Sequence, residues 1–275
     1  MTDRPVLDVD ALAARAVAEA SGFAAASPFP HVVLDDVLDP GVAAELEAEF
    51  DGSREGWVFW HHVNERKQGL TDPARLGPVA RRVVGALQSE AVVRALETLT
   101  GVPGLRPDPW LDGGGLHEML PGGHLNVHVD FQAHPYERTW SRQVNLLLYL
   151  NRDWDPAWGG ALELWDRDMQ RCVRRVEPRF NRCVVFRTTA TSFHGVPGPV
   201  ECPTGTSRKS LALYYFCDEG RALPIVPTRY MARPTDGPLT RVLIRGERVL
   251  LWGWTFLKRH ARFGDAWLSR LLRRM

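Results

Sequence analysis

The sequence predicts an α+β protein that is mainly β in its core, a jelly-roll sandwich or barrel with helical flanks. Between about residues 115 and 217, short alternating or apolar runs such as NRCVVFRT and SLALYYF follow one another between turn signals. This spacing is typical of all-β sandwiches and barrels. The helix-like stretches precede these strands and do not alternate with them, which favours helices packed against a β core over repeated βαβ units.

The region before the strands predicts helical support for the core. An Ala-rich stretch over 7–25 indicates a first helix, and PFPHVVLDDVLD indicates a short strand and a turn. Pro40 stands near the start of a second helix, where its fixed φ is favourable. Residues 78–100 predict two more helices, the second capped by Ser89.

The chain divides into three parts of one integrated domain. Residues 1–114 are the N-terminal support region, residues 115–220 the β core, and residues 221–275 a basic helical C-terminal extension. The Pro/Gly-rich run GVPGLRPDPWLDGGG marks the first boundary.

Bulk composition narrows the class of protein. The 275 residues are 44% hydrophobic and 24% charged, and the net charge is +1, so no global basic field indicates a nucleic-acid partner. The first twenty residues lack the apolar core of a signal peptide, and the four cysteines form no CxxC pair. We therefore expect a cytoplasmic protein with free thiols.

The C-terminal extension is strongly basic. Residues 221–275 contain 12 Lys/Arg and three acids, a net +9, which leaves −8 for the remaining 220 residues. The tail mixes Leu, Trp and Phe with Arg and Lys at roughly helical spacing. It therefore predicts either a helix docked on the β core or, through residues 238–275, contact with a membrane surface or an acidic partner.

The run LNVHVDF carries the first chemical signal. In an extended chain alternate side chains share a face, so His128 and Asp130 point to the same side. An imidazole and a carboxylate two residues apart form a chelating pair if a third ligand exists elsewhere.

Two later motifs supply candidates for the rest of the site. His194 lies in TSFHGVPGP, and Arg208 lies in TSRKSLALYYF. Two imidazoles and one carboxylate are the ligand set of a non-haem Fe(II) centre with open positions. A buried guanidinium such as Arg208 would pair the far carboxylate of a dicarboxylate co-substrate.

This set resembles the facial triad and anchor of the 2-oxoglutarate/Fe(II)-dependent dioxygenases, and most closely their prolyl-hydroxylase-like group. The similarity covers about residues 115 to 217 and includes, in order, RQVNLLLYLNRDW, WGGALELW, VEPRFNRCVVFRT, FHGV and RKSLALYYF. It implies a double-stranded β-helix with His128, Asp130 and His194 as iron ligands.

The resemblance also implies contacts to 2-oxoglutarate. Arg208, Ser210 and Tyr149 would bind its distal carboxylate. Where the group often has a tyrosine before Pro-Gly, this chain has Leu120, so that contact is missing or replaced, with Asn145 or His117 as candidates.

The implied activity is hydroxylation of an unactivated C–H bond with Fe(II), 2-oxoglutarate and O2, giving succinate and CO2. Ascorbate is a possible further cofactor. The substrate stays open between a peptidyl or prolyl side chain and a small molecule. The alternative function is a non-catalytic jelly-roll module that binds a ligand or partner and keeps a vestigial metal site.

Other histidines and aromatic residues have simpler interpretations. We expect His124 to lie near the site or at the surface, and His134 at the surface. A loop or packing role is predicted for His61 and His62. The tryptophans, including Trp57, Trp60 and Trp140, are expected in the core or at its rim.

Overall fold

The computed structural model describes residues 4–224, 226–244 and 246. Four α-helices in the first hundred residues pack against the sheet. They are α1 Val9–Ala25, α2 Pro40–Glu49, α3 Pro78–Leu87 and α4 Glu90–Thr100.

Polar side chains begin three of these helices. Asp8 and Asp39 accept hydrogen bonds from backbone amides in the first turns of α1 and α2, and Ser89 does the same for α4. These caps satisfy amides that have no partner inside a helix. The predicted cap at Ser89 and the predicted start at Pro40 are therefore confirmed.

Thirteen strands in the described part of the chain form one sheet. The strands are β1 His31–Leu34, β2 Val58–His62, β3 Glu65–Leu70, β4 Arg106–Pro107, β5 Gly115–Met119, β6 His124–Val129, β7 Trp140–Tyr149, β8 Leu162–Trp165, β9 Cys172–Val176, β10 Arg182–Arg187, β11 His194–Val196, β12 Arg208–Asp218 and β13 Arg229–Tyr230.

The strand order confirms the predicted jelly-roll core. The strands follow the path β1-β10-β7-β12-β5-β3-β6-β11-β8-β9, with β2 beside β3, β4 beside β12 and β13 beside β6. Neighbours pair in antiparallel fashion, as in β7 with β12 and β11 with β6. The sheet thereby curls into a near-barrel with an inner face.

The two faces of β12 show how the sheet is held. Leu211, Leu213 and Tyr215 belong to the large apolar cluster shared with the helices, and the Tyr215 hydroxyl donates to the Leu87 carbonyl at the end of α3 (2.9 Å). Each large apolar side chain buried this way contributes roughly 1.5–3 kcal/mol. The alternate residues Arg208 and Ser210 face the barrel interior, so the helices stabilise the sheet from outside and leave the inside free for polar groups.

One hairpin was not predicted. Residues 58–70, with the sequence VFWHHVNERKQGL, contain β2 and β3, and β3 pairs with both β5 and β6. The sequence of β3 shows no alternation of apolar residues, because two of its buried residues, Glu65 and Gln68, are polar. Glu65 pairs with Lys67, and Gln68 donates to Glu118. A strand from the N-terminal region thus lies inside the β core.

The C-terminal extension begins as an extended segment. Strand β13 pairs with β6, and helical conformation starts only at residue 238, later than the predicted 221. The predicted membrane or acidic-partner contact of 238–275 falls mostly outside the described residues. Among the described helices, none combines the length and apolarity needed to cross a bilayer.

Candidate functional site

The structure brings His128, Asp130 and His194 together inside the barrel. His128 lies near the end of β6, and Asp130 follows that strand. His194 opens β11 as the direct register partner of His128. One ligand atom from each residue lies within 4.8 Å of the others, and all three side chains are buried.

Backbone carbonyls orient both imidazoles. Nδ1 of His128 donates to the Asn126 carbonyl (2.9 Å), and Nδ1 of His194 donates to the Ser192 carbonyl (3.0 Å). The protons are therefore on Nδ1, and each Nε2 turns toward Asp130, at 3.4 and 3.5 Å from its carboxylate oxygens. This tautomer presents two Nε2 lone pairs to one point, as metal-binding histidines do.

Asp130 is held by a buried cation that sequence reasoning missed. Nδ2 of Asn145 donates to its Oδ2 (2.8 Å), and the Arg142 guanidinium lies 3.3 Å from the same oxygen. Arg142 also donates from Nε to the Asn145 Oδ1 (2.8 Å). Burial by itself would raise the pKa of Asp130, but Arg142, His194 and His128 outweigh it and keep this pKa well below its usual range.

Aromatic rings enclose the Arg142 guanidinium. Its carbon lies 3.4 Å from the centroid of the Tyr214 ring and 4.6 Å from that of Phe131. Stacking of this kind stabilises a guanidinium away from water. The available signal in the sequence was a charged residue at the start of the apolar strand RQVNLLLYL.

Burial also sets the protonation of His194. It lowers the pKa of His194 to about 4, against the opposing attraction of Asp130. The ring is therefore neutral near pH 7, which is the form that binds a metal ion.

A second polar group of the inner face surrounds Arg208. This side chain is buried, donates from Nε to the Gly160 carbonyl (2.6 Å), and lies 4.9 Å from the centroid of the Tyr149 ring. Ser210 stands directly opposite Tyr149 across β12 and β7. The buried Tyr149 hydroxyl has no hydrogen-bond partner among the described residues, and burial raises its pKa.

The other predicted 2-oxoglutarate contacts lie in different surroundings. Asn145 uses its amide oxygen for Arg142 and its nitrogen for Asp130, so its role as a co-substrate contact stays a prediction. Leu120 is 49% exposed. His117 is buried opposite Ser210, and its Nε2 lies 3.1 Å from the Gly113 carbonyl. Burial holds the pKa of His117 well below its ordinary value.

His61, His124 and His134 do not contribute to the group of converging ligand atoms. His61 is exposed, and the Nε2 of His124 lies 3.4 Å from the Val63 carbonyl. The predicted surface position of His134 is wrong. Its ring is fully buried between aromatic side chains and its Nε2 lies 3.3 Å from Asp108, because its Nδ1 accepts the backbone amides of a tight turn after β6.

Comparison with known proteins gives one family match and one curated relative. Residues 114–216 match the family model of the 2OG-Fe(II) oxygenase superfamily. Prolyl 3-hydroxylase OGFOD1 of Mus musculus is 28% identical over 125 residues, which are 40% of this chain and 22% of that protein. The chain thus spans about a fifth of the length of this curated relative.

Solved structures of low sequence identity share the fold. A prolyl hydroxylase from Trichoplax adhaerens, in complex with a hypoxia-inducible-factor peptide fragment, gives a TM-score of 0.53 at 17% identity and covers 77% of this chain and 91% of its own. A prolyl 4-hydroxylase from Phytophthora capsici gives 0.51 at 20% identity, with 94% and 85% covered. One from Pseudomonas putida gives 0.50 at 19% identity, with 75% and 98% covered.

The family model, the curated relative and the solved structures of similar fold are all oxygenases or hydroxylases. Fe(II) and 2-oxoglutarate are the cofactor and co-substrate expected for such a protein. Residues 114–216 therefore match the 2OG-Fe(II) oxygenase superfamily of enzymes, and the fold of the chain resembles that of solved prolyl hydroxylases.

Proposed function

We propose that this protein is an Fe(II)- and 2-oxoglutarate-dependent oxygenase that hydroxylates an unactivated C–H bond of a peptidyl substrate, with prolyl as the first candidate. O2 is the oxidant, and succinate and CO2 are the co-products. The observation that carries the proposal is the convergence of His128, Asp130 and His194, whose ligand atoms lie within 4.8 Å of one another.

The donor set fits a ferrous ion. Two neutral imidazole nitrogens and one carboxylate oxygen are the ligands that non-haem Fe(II) oxygenases use, and three protein ligands leave room for a co-substrate and O2. The cluster contains no thiolate that an oxidant would attack. When bound, Fe(II) would couple the oxidative decarboxylation of 2-oxoglutarate to hydroxylation of the substrate.

The surroundings of Arg208 fit the far carboxylate of 2-oxoglutarate. The guanidinium is buried, and the unpartnered hydroxyl of Tyr149 offers a donor beside it. A charged donor and a neutral donor on one oxyanion are the usual way to stabilise a carboxylate away from water. Ser210, opposite Tyr149, would be a third donor.

The chain's own residues would keep the centre in a reactive state. Arg142 and Asn145 hold Asp130 ionised and fixed, and the two carbonyl contacts hold both imidazoles in one tautomer. Burial of all three side chains excludes bulk water from the position where they meet.

The substrate class is proposed by likeness. The curated relative is a prolyl 3-hydroxylase, and the T. adhaerens enzyme was solved with a peptide fragment. Fold alone is weak evidence for a substrate. Incubation with a proteome-derived peptide library and with small-molecule extracts, followed by mass spectrometry for a gain of one oxygen, separates a peptidyl from a small-molecule substrate.

Anaerobic titration with Fe(II) and 2-oxoglutarate tests the activity itself. We expect a weak visible metal-to-ligand charge-transfer band in the unmodified protein and succinate on admission of O2. His128→Ala should abolish both. The matched control is His124→Ala, which removes an imidazole from the same strand outside the cluster and should keep both signals.

The alternative function makes the opposite prediction. If the unmodified protein gives neither the band nor succinate, the chain is a jelly-roll binding module with a vestigial site.

A further inference from the structure

Four aromatic rings form one continuous row through the predicted metal centre. The Phe186 ring lies 4.7 Å from that of His194, His194 lies 4.5 Å from His128, and His128 lies 5.5 Å from Tyr230, all between ring centroids. The two imidazoles are thus enclosed between a phenylalanine at one end and a tyrosine at the other.

The two ends of this row come from different parts of the chain. Phe186 lies on β10, within the span that matches the family model. Tyr230 lies on β13, beyond that span, and is the direct register partner of His128 on β6. The match to the family model therefore does not include Tyr230.

A hydrogen bond holds the Tyr230 ring in place. Its hydroxyl donates to Oε2 of Glu65 on β3 (3.2 Å), and Lys67 lies 2.8 Å from the other carboxylate oxygen. Glu65 is itself buried. The tyrosine is thus fixed both by its backbone pairing and through its hydroxyl.

The residues before and after Tyr230 contact the chain beside both imidazoles. The Met231 amide donates to the Val127 carbonyl (2.8 Å), beside His128. Arg229 donates to the Ala190 carbonyl (3.0 Å), in the loop that leads to His194. The segment 229–231 therefore contacts both the strand that carries His128 and the loop that precedes His194.

We propose that Tyr230 is a positioning residue of the metal centre, which holds the His128 imidazole in its ligand orientation. The inference rests on the proposed function, because it assumes that His128 binds a metal ion. It extends the functional unit to β13 and β3, two strands outside the matched span.

The physical reason is the number of constraints on the His128 ring. The Nδ1 bond to the Asn126 carbonyl fixes one ring nitrogen but still permits the ring to tilt within the angular range of a hydrogen bond. Tyr230 on β13 and His194 on β11 flank the His128 ring from the strands on either side of β6. Groups that orient a ligand typically change metal affinity 10–100-fold when they are removed.

Metal titration of three variants of the full chain tests this role. Co(II), used alone as the spectroscopic probe, reports affinity and the geometry of the centre through its visible bands. Tyr230→Leu keeps an apolar side chain on β13 but removes the ring, and Tyr230→Phe keeps the ring. The matched control is Tyr136→Leu, because Tyr136 also packs on a histidine, His134, outside the cluster.

We expect Tyr230→Leu to weaken Co(II) binding by about tenfold and to change the visible bands. Tyr230→Phe should restore both toward those of the unmodified protein, and Tyr136→Leu should leave both unchanged. Equal affinity and spectra for Tyr230→Leu and the unmodified protein would overturn the inference, as would an equal loss in Tyr136→Leu. An unmodified protein that binds no Co(II) would instead refute the proposed metal centre.

Discussion

His128 and His194 stand directly opposite each other on paired strands, with their ring centroids 4.5 Å apart. Gly195 makes this approach possible. A Cβ at Gly195 would lie 2.8 Å from the Leu125 carbonyl oxygen and 2.9 Å from both the Asn126 oxygen and the Val127 Cα. These atoms are backbone, so they cannot move aside as a flexible side chain would.

Gly195→Ala should therefore force β11 away from β6. We expect a loss of about 1–3 kcal/mol in the free energy of unfolding, the usual cost of overpacking, together with weaker metal binding. Urea unfolding and Co(II) titration measure the two effects. Gly85→Ala, on α3 with no atom within 4 Å of the added Cβ, is the control and should stabilise by up to about 1 kcal/mol. Equal behaviour of the two variants would contradict the prediction.

Arg142→Met should destabilise the metal-free protein. It leaves the carboxylate of Asp130 buried without its cation, and breaking a buried ion pair on one side costs about 3–5 kcal/mol. Urea unfolding at pH 7 measures the loss. Adding Asp130→Asn to this variant removes the uncompensated charge, so the double variant should be more stable than Arg142→Met alone. Additive losses would show that the two side chains do not interact.

Arg208→Lys should weaken 2-oxoglutarate binding without changing metal affinity. A lysine keeps the positive charge but loses the planar guanidinium, and loss of charge-assisted hydrogen bonds of 1.5–3 kcal/mol corresponds to about 10–100-fold in the dissociation constant. The 2-oxoglutarate dependence of the charge-transfer band gives this constant. Co(II) titration is the internal control. A parallel loss of Co(II) affinity would contradict separate roles for Arg208 and the triad.

The metal-free protein should lose stability as the pH falls below about 6.5, the pKa of an unfolded histidine. Burial lowers the pKa of His117 well below that value and that of His194 to about 4. The unfolded chain therefore binds protons that the folded chain does not, so stability is full above pH 6.5 and falls toward pH 4.

His117→Leu should flatten this dependence by up to about 1.4 kcal/mol per pH unit, the contribution of one proton. The Gly113 carbonyl keeps a donor in this variant, the Tyr214 hydroxyl at 2.7 Å. Urea unfolding at several pH values between 4 and 7 measures the slope. An unchanged slope would show that His117 takes up its proton in the folded state as well.

Local pattern predicted the strand that positions two of the three converging side chains. Alternation in LNVHVDF placed His128 and Asp130 on one face, and this feature depends only on neighbours in the chain. His194 was singled out as a candidate ligand, but the strand that it opens was not predicted. The roles of these residues as iron ligands, and of Arg208, Ser210 and Tyr149 as co-substrate contacts, stay predictions that the experiments above address.

The features that the sequence did not predict depend on contacts between residues far apart in the chain. Strand β3 inserts between β5 and β6, and its burial of Glu65 and Gln68 follows from partners far along the chain, such as Tyr230 and Glu118. In the sequence, Arg142 is an ordinary charged residue at the start of a predicted strand. Only the register of β7 places it against Asp130.

The insertion of β3 has a further consequence for the span that matches the family model. A polypeptide cut at residues 114 and 216 would lack both β3 and β13, so β5 and β6 would each expose an edge of bare amides and carbonyls in the middle of the sheet. Residues 114–216 therefore do not contain a complete sheet. The similarity to the family model is confined to this span, but the near-barrel also requires strands that precede and follow it.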